Sequence, residues 1–190
     1  MKIREMMFTA IMAAVIAVLG LLPPIPLPFI PVPITVQTLG VMLAGSILGA
    51  RLGGLSLLLF VILIGLGAPL LSGGRGGLSV LIGPTGGYVL SYPVAAFVIG
   101  FMVQRTSTTG MKFWKFLLSN VVGGILVVYA VGVPFLSIIT DVPIAKAAIG
   151  NLVFIPGDLL KAVLASLIAV RILKVSPTMI QETRSQAPRA

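Results

Sequence analysis

The sequence predicts an all-α, polytopic membrane protein with six transmembrane helices and with both termini in the cytoplasm. Hydrophobic residues make up 58% of the 190 residues and charged residues only 9%, whereas soluble domains carry about 25% charged residues. Six apolar runs are long enough, or nearly so, to cross the hydrocarbon of a bilayer, which takes about 20 residues. The basic residues cluster at alternate ends of these runs, as the positive-inside rule requires.

The predicted spans differ in length and in their flanking residues. The first begins with a basic segment, as a signal peptide does, but it runs straight into a proline-rich stretch without a clear cleavage site, so we interpret it as an uncleaved helix. The second is short and has to be tilted, extended or sheltered by protein. We expect spans near residues 5–22, 36–50, 54–71, 87–104, 112–134 and 150–174. They make one domain, residues 1–174, and residues 175–190 form a polar cytoplasmic tail.

The distribution of basic residues predicts the orientation. If the N-terminus is inside, ten of the 13 Lys and Arg residues fall in inner segments, only Arg75 and Lys146 fall in outer ones, and Lys161 lies within the last apolar run. Such a bias places both termini in the cytoplasm. The formal net charge of +9 would suggest nucleic acid as the partner of a soluble protein. Here topology explains the charge, so we expect the lipid bilayer and no nucleic acid as a partner.

Three outer loops connect the spans. The proline-rich stretch, residues 23–35, cannot be helical and favours extended chain. Its apolar side chains predict that it lies on the surface of the protein or of the membrane. The second loop, residues 73–88, is rich in glycine, and the third, residues 137–151, is expected to hold a short amphipathic turn of helix.

The second outer loop reads GGRGGLSVLIGPTGGY and places Arg75 among four glycines. The glycines permit positive φ and a close approach of the backbone to a ligand. One interpretation is a tight turn with a snorkelling arginine, and the other is a guanidinium aimed at an anionic group that arrives from outside. Tyrosines in membrane proteins are more often interface anchors, but Tyr88 adjoins this loop and is therefore a candidate ligand contact.

The last span carries two charges, Asp158 and Lys161, three residues apart on one helical face. A charge at the bilayer centre costs about 2.5–3.5 kcal/mol on insertion scales. Pro156 and Gly157 interrupt or start the helix just before them, so we expect the pair near the outer end of a broken helix. The two residues form either a mutually neutralising structural pair or part of a polar cluster that lines a cavity open to the outside.

Two amides and two alanines complete the candidate residues. Gln37 and Asn120 each offer a hydrogen-bond donor and an acceptor to a polar ligand. Hydrogen bonding between helices is the alternative for both, and it is the favoured one for Asn120. Ala10 and Ala14 form an A-x-x-x-A motif on the first span, and small residues at this spacing permit close contact between helices in lipid. On spacing alone, internal packing is the simpler explanation of the alanines.

The residues that are absent exclude several classes of function. The sequence contains no Cys and no His, which removes thiol chemistry, disulfides and the commonest general base and metal ligand. It contains no G-x-x-x-x-G-K-[ST] motif for phosphate binding, no metal-ligand constellation and no nucleophile–base pair. We therefore expect neither an enzyme nor a bound cofactor or metal. The sequence indicates a membrane protein that captures a small polar ligand and lacks its own energy source.

Three motifs occur in order along the chain: IPVPITVQTLGVMLAG, GAPLLSGGRGGLSVLIGPTGGY and FIPGDLLKAVLA. Together they resemble motifs of the BioY family, the biotin-specific substrate-binding (S) components of energy-coupling factor (ECF) transporters. The resemblance extends from about residue 8 to residue 174. It implies a six-helix fold in a prokaryotic cell membrane, with a biotin site that faces outward.

The resemblance also implies partners and roles. A transmembrane coupling subunit and two cytoplasmic ATP-binding cassette subunits would supply the energy, and Ala10 and Ala14 match the contact surface for the coupling subunit. Biotin has a fused-ring ureido group and a carboxylate tail, and the candidate ligand-binding residues are Gln37, Arg75, Tyr88, Asn120, Asp158 and Lys161. The alternative is an S component or carrier for a different small vitamin-like molecule.

Overall fold

Helices dominate the part of the chain that the computed structural model describes, residues 3–28, 30–105 and 113–175. Five helical segments in these residues are long and apolar enough to cross a membrane: Ile3–Gly20, Gln37–Gly65, Gly86–Arg105, Phe113–Thr140 and Ile144–Val175. The protein is an all-α, polytopic membrane protein, as predicted, with a short β-hairpin between its first two helices.

The second segment, α2 (Gln37–Gly65), contains two helices joined by a sharp turn. Gly49 has φ 78° and ψ −175°, a conformation that breaks the helix and that residues with a Cβ rarely adopt. A Cβ on Gly53 would lie 2.8 Å from the carbonyl oxygen of Ala44, although residues nine apart in a straight helix are separated by about 13 Å. The chain therefore reverses at Gly49, and the two antiparallel halves are the second and third of the six predicted spans.

The third span ends at Gly65, six residues earlier than predicted. Gly67 takes φ 99° just past the helix end, where glycine commonly terminates helices. The amide of Gly77 donates to the carbonyl oxygen of Ile64 over 2.8 Å, which satisfies one of the carbonyls that a helix end leaves free. The segment of residues 66–77, called the glycine-rich loop below, is thereby tied back to α2.

The proline-rich stretch after α1 (Ile3–Gly20) is an antiparallel hairpin of β1 (Ile25–Leu27) and β2 (Ile30–Ile34). The prediction of extended chain is confirmed, but the pairing of two strands was not predicted, because proline has no N–H to donate to a neighbouring strand. In β2 the side chains of Ile30 and Val32 are buried, with the two-residue period of a strand. The hairpin therefore lies on the protein with an apolar face inward.

α3 (Leu78–Leu81) is a single helical turn after the glycine-rich loop, and α4 (Gly86–Arg105) follows it, close to the predicted span. α4 packs tightly on α2, because a Cβ on Gly100 would overlap the backbone of Gly49 and Ala50. The absence of a side chain at Gly100 thus seats α4 against the turn that divides α2.

α5 (Phe113–Val121), a π-helical segment (Val122–Val127) and α6 (Val128–Thr140) form one continuous helical run. It continues six residues beyond the predicted end at residue 134, because Pro134 is accommodated within α6. The run ends at Asp141, which adopts the left-handed backbone conformation with φ 53° that commonly terminates helices.

α7 (Ile144–Asn151) confirms the short helix predicted in the third outer loop. A 3₁₀ turn, Leu152–Phe154, connects it to α8 (Ile155–Val175), whose first turn contains Pro156. Proline is tolerated in that turn because the first amides of a helix have no partner within it. Residues 176–190, which the sequence predicts to be a polar tail, lie outside the described residues.

The connections gather at two ends of the helices. The hairpin shares one cavity with the glycine-rich loop and another with α7, so these three segments lie at one end. The turn at Gly49 lies at the other end, one helix length away. Which of these ends faces the outside remains the prediction made from the basic residues.

Cysteine labelling tests this orientation, because the sequence contains no native Cys. Lys146→Cys lies on exposed α7, and Arg51→Cys is exposed beside the turn at Gly49, at the opposite end. We expect a membrane-impermeant maleimide to label Lys146→Cys in intact cells and Arg51→Cys only after permeabilisation. The reverse pattern would show that the termini are outside.

Candidate functional site

A cavity opens at the end of the molecule that carries the hairpin and the glycine-rich loop. β2, α2, α4, α6 and α8 form its walls together with residues of that loop. Apolar side chains such as Val89 and Val128 line part of it. Its polar side chains come from several elements and are Thr35, Gln37, Thr38, Arg75, Thr85, Tyr88, Tyr92, Tyr129, Asp158 and Lys161. Convergent polar groups in a concave, partly apolar site are typical of small-molecule binding.

Asp158 and Lys161 form an ion pair in the wall of this cavity. Their side chains are 6% and 13% exposed, and Lys161 Nζ lies 2.8 Å from Asp158 Oδ1. Both residues line the cavity. The sequence analysis left two alternatives, a mutually neutralising pair and a polar cluster that lines a cavity. Both describe the same arrangement, because the two charges neutralise each other and also border the cavity.

Further hydrogen bonds hold the pair in place. Lys161 Nζ also donates to the carbonyl oxygen of Thr35 over 2.6 Å and to Thr38 Oγ1 over 3.0 Å, so all three N–H groups of the ammonium have partners. Asp158 accepts from the Tyr129 hydroxyl through Oδ2 over 2.6 Å and from Thr38 Oγ1 through Oδ1 over 3.3 Å. A carboxylate has about four acceptor positions, so Asp158 keeps one for a ligand, whereas Lys161 has to exchange a partner to reach one.

Arg75 lies on the glycine-rich loop, exposed and bordering the cavity. Its Nε donates to the carbonyl oxygen of Ser72 over 3.2 Å, and its terminal guanidinium nitrogens make no hydrogen bond to the residues that the structure describes. Gly73 and Gly74 have φ 81° and 68°, so the loop requires glycine at both positions. This geometry favours the second interpretation of Arg75, a guanidinium presented to an anionic group.

Gln37 is 1% exposed, and its amide holds the glycine-rich loop. Nε2 donates to the carbonyl oxygen of Leu70 over 2.9 Å, and Oε1 accepts from the backbone N–H and the hydroxyl of Ser72 over 3.3 and 3.4 Å. The amide therefore holds the loop, and the predicted contact of Gln37 with a ligand stays a prediction. Although Gln37 lines the cavity, its amide is occupied because the buried backbone of the loop needs hydrogen-bond partners.

All three tyrosines of the sequence line the cavity. Tyr88 donates its hydroxyl to Asn151 Oδ1 over 2.6 Å, so its predicted contact with a ligand would be made by the ring. Tyr92 is 5% exposed and its hydroxyl makes no hydrogen bond within the described residues. Tyr129 donates to Asp158. The aromatic rings therefore surround the ion pair with surface that is apolar but can also donate hydrogen bonds.

Asn120 lies outside the cavity and is fully buried. Its Oδ1 accepts from Ser46 Oγ over 2.9 Å, and its Nδ2 donates to Ser166 Oγ over 3.0 Å. The amide thus joins α5 to α2 and α8. Asn120 makes the hydrogen bonds between helices that the alternative describes, and both ends of its amide are satisfied inside the helix bundle. Binding of the ligand by Asn120 stays a prediction.

Ala10 and Ala14 are exposed on α1, whereas Ala13 and Ile16 are buried on its other side. Internal packing therefore explains the face with Ala13, and the residues that the structure describes leave Ala10 and Ala14 uncovered. The contact of Ala10 and Ala14 with a partner helix stays a prediction.

Sequence reasoning missed five of the polar residues that line the cavity, Thr35, Thr38, Thr85, Tyr92 and Tyr129. Thr35 contributes a backbone carbonyl, which no side-chain pattern reveals. Two signals could have identified the tyrosines. Tyr92 follows Tyr88 by four residues and so shares its helical face, and a phenol within an apolar span needs a partner for its hydroxyl, which applies to Tyr129.

The anchoring role of Gln37 predicts that Gln37→Leu loosens the glycine-rich loop. The Ser72 amide loses its acceptor, so its hydrogen exchange should become about tenfold faster, as expected for one lost hydrogen bond. Hydrogen-exchange mass spectrometry of the peptide covering residues 66–77 measures this. Gln37→Glu is the matched control, since it keeps the acceptor for Ser72 and loses the donor to Leu70. Unchanged exchange in Gln37→Leu would contradict the anchoring role.

Comparison with known sequences identifies close relatives. The profile of the BioY family matches residues 1–178. "Biotin transporter BioY" of Rhizobium etli is 43% identical over 183 residues, which cover 94% of this chain and 98% of that protein. "Probable biotin transporter BioY" of Bacillus subtilis is 42% identical over 182 residues, which cover 94% of this chain and 97% of that protein.

A solved structure shares the fold. The crystal structure at 2.1 Å of the S-component for biotin from an ECF-type ABC transporter matches with a TM-score of 0.85 and 39% sequence identity, covering 91% of this chain and 92% of that chain. The family profile spans nearly the whole chain, and the relatives exceed 30% identity over almost their full length. This chain therefore belongs to the BioY family.

Proposed function

We propose that this protein is the biotin-binding S component of an ECF transporter, which takes up biotin across a prokaryotic cell membrane. The observation that carries the proposal is the cavity bordered by the Asp158–Lys161 pair in a chain of the BioY family. Relatives are named biotin transporters, and the structural neighbour is the S-component for biotin. The activity is capture and transport of a ligand, not catalysis.

The ureido group of biotin is complementary to the ion pair. It offers N–H donors and a carbonyl acceptor, whereas a carboxylate only accepts hydrogen bonds and an ammonium only donates them. We assign Asp158 as the acceptor from a ureido N–H and Lys161 as the donor to the ureido oxygen. The acceptor position that Asp158 retains supports the first assignment. For the assignment of Lys161, the ureido oxygen would replace Thr35 O or Thr38 Oγ1 as a hydrogen-bond acceptor of the ammonium. The number of hydrogen bonds made by Lys161 would then stay the same.

The carboxylate tail of biotin is assigned to Arg75. A guanidinium can bind a carboxylate through two parallel hydrogen bonds, and the terminal nitrogens of Arg75 have no hydrogen-bond partner within the described residues. The rings of Tyr88 and Tyr92 would then pack on the apolar body of the ligand between the two polar ends. The loop that carries Arg75 is attached to α2 through Gln37, so the site combines a rigid wall with an exposed loop.

The energy for uptake has to come from partner subunits. This chain has no phosphate-binding motif, and its structural neighbour is an S-component of an ECF-type ABC transporter. We infer a transmembrane coupling subunit and two cytoplasmic ATP-binding cassette subunits as partners. The coupling subunit would pack on the face of α1 with Ala10 and Ala14, which is exposed and whose small side chains permit close approach of another helix.

Calorimetry with purified protein tests the ligand. We expect binding of biotin but not of thiamine or riboflavin. Asp158→Asn and Lys161→Ala should each weaken biotin binding about tenfold or more, because each removes a hydrogen bond to a charged group. Arg75→Ala should weaken biotin strongly and biotin amide, which lacks the carboxylate, much less.

Two outcomes would revise this proposal. If Arg75→Ala weakens both ligands equally while Lys161→Ala discriminates between them, Lys161 holds the tail and the ligand lies the other way round. If the protein binds another vitamin and not biotin, the family assignment stands but the ligand is wrong.

The proposed coupling surface predicts a separation of uptake from binding. Ala10→Trp combined with Ala14→Trp should abolish biotin uptake by the complete transporter and leave biotin binding by the isolated chain intact, because the bulky rings block a partner helix. Leu164→Trp with Ile168→Trp is the matched control. This pair has the same spacing and is exposed on α8, so uptake should persist. Equal loss of binding and uptake in the alanine variant would identify that face as internal packing.

A further inference from the structure

The helical run from α5 to α6 makes two polar contacts with α8. Nδ2 of Asn120 donates to Ser166 Oγ over 3.0 Å, and nine residues later the hydroxyl of Tyr129 donates to Asp158 Oδ2 over 2.6 Å. On α8 the two partners are eight residues apart and occur in the reverse order, as two antiparallel helices require. The contacts therefore join the same two helical runs at two levels, one inside the bundle and one at the cavity.

A regular α-helix could not make both contacts. At about 100° per residue, nine residues correspond to about 900°, so the side chains of Asn120 and Tyr129 would point to opposite sides of the helix. Between them the segment Val122–Val127 is π-helical, and its i→i+5 hydrogen bonds absorb about one extra residue. The nine residues then rotate about the helix axis by about 800°, as eight residues of a regular α-helix do. The side chains of Asn120 and Tyr129 are therefore about 80° apart around the helix, which is also the angle between Asp158 and Ser166 on α8.

Tyr129 donates its hydroxyl to the second oxygen of the Asp158 carboxylate. Oδ1 is held by Lys161 and Thr38, whereas among the described residues Oδ2 has Tyr129 as its hydrogen-bond donor. Without that hydroxyl, no donor among the described residues would hold Oδ2, and the carboxylate could rotate about χ2, a broad torsion. The direction of the acceptor position left for a ligand therefore depends on Tyr129.

We propose that Tyr129 is a positioning residue for Asp158 and that the π-helical segment Val122–Val127 provides the register that brings the two together. The inference rests on the proposed biotin site, in which Asp158 accepts from the ligand. Tyr129 then affects biotin affinity through Asp158 and not by donating to the ligand, because its single hydroxyl proton is already donated to the carboxylate.

A double-mutant cycle measured by calorimetry with biotin tests this role. Tyr129→Phe should weaken biotin binding roughly tenfold, as expected for loss of a hydrogen bond to a charged group. In the Asp158→Asn background the same change should cost less than about threefold, because residues that act through one another are not additive. If the two effects multiply, Tyr129 acts independently of Asp158 and the proposal is overturned.

The matched control is Tyr88→Phe, whose hydroxyl bonds Asn151 and not Asp158. Tyr88→Phe should change biotin affinity by the same factor in the wild-type protein and in the Asp158→Asn variant. The cycle also separates the two proposals. A wild-type protein that does not bind biotin contradicts the proposed function, whereas loss of affinity in Asp158→Asn without any loss in Tyr129→Phe contradicts only the positioning role.

A deletion tests the register. Leu126 is a π-helical residue with a 59% exposed side chain, so its removal deletes little packing. Deletion of Leu126 reduces the separation of the two contact residues from nine positions to eight and should restore a regular α-helix with both contacts intact. Biotin affinity should therefore remain within about threefold of wild type, whereas insertion of an alanine at the same place should abolish binding. A deletion variant that unfolds or does not bind biotin would overturn the register argument.

Discussion

The ion pair of Asp158 and Lys161 is the constraint on which the rest of the structure depends. Charged groups in the hydrocarbon region are expensive and survive only where they are paired and hydrogen-bonded. Here every partner comes from a different part of the chain: a carbonyl oxygen at the end of the hairpin, a threonine of α2 and a tyrosine of α6. Satisfying the pair therefore requires that β2, α2, α6 and α8 meet at one place. Because the chain gathers them around two charges, the same place is the wall of a polar cavity.

Close helix contacts make this convergence possible. Lipid is as apolar as the side chains, so helices in a bilayer gain little from burying leucine and depend on close packing and hydrogen bonds. Glycine supplies the close packing. A Cβ on Gly53 would collide with the other half of α2, and one on Gly100 would overlap the turn at Gly49. Asn120 supplies the hydrogen bonds deeper in the bundle. The hydrogen bonds of Asn120 inside the bundle and the close contacts between helix backbones therefore both support the site.

Features whose absence or misplacement would cost much free energy in a membrane can be predicted from the sequence, whereas features with a small energetic effect cannot. Six spans follow from hydropathy, because a spanning helix has to satisfy its backbone internally, and the charges of Asp158 and Lys161 are conspicuous for the same reason. The reversal at Gly49 is harder to locate in a long apolar run with several glycines, and the hairpin pairing depends on contacts distant in sequence. Amides are ambiguous, because the same group serves a ligand or a backbone equally well, as Gln37 shows. A tyrosine hydroxyl in a span needs a partner, but only the fold reveals which one it finds.

The end of α1 packs directly on the backbone of the glycine-rich loop. A Cβ on Gly20, at the end of α1, would overlap the carbonyl oxygen of Leu70 and lie 2.8 Å from Gln37 Nε2, the atom that donates to that carbonyl. The end of α1, the loop and the start of α2 therefore meet at one junction, in which the backbones of Gly20 and Leu70 are in direct contact and α2 contributes the side chain of Gln37. A loop movement that displaces Leu70 has to move α1 with it or open a gap in a region packed backbone against backbone, and such packing resists gradual deformation. The end of α1 is therefore packed directly on the same loop that carries Leu71 and Arg75 to the cavity.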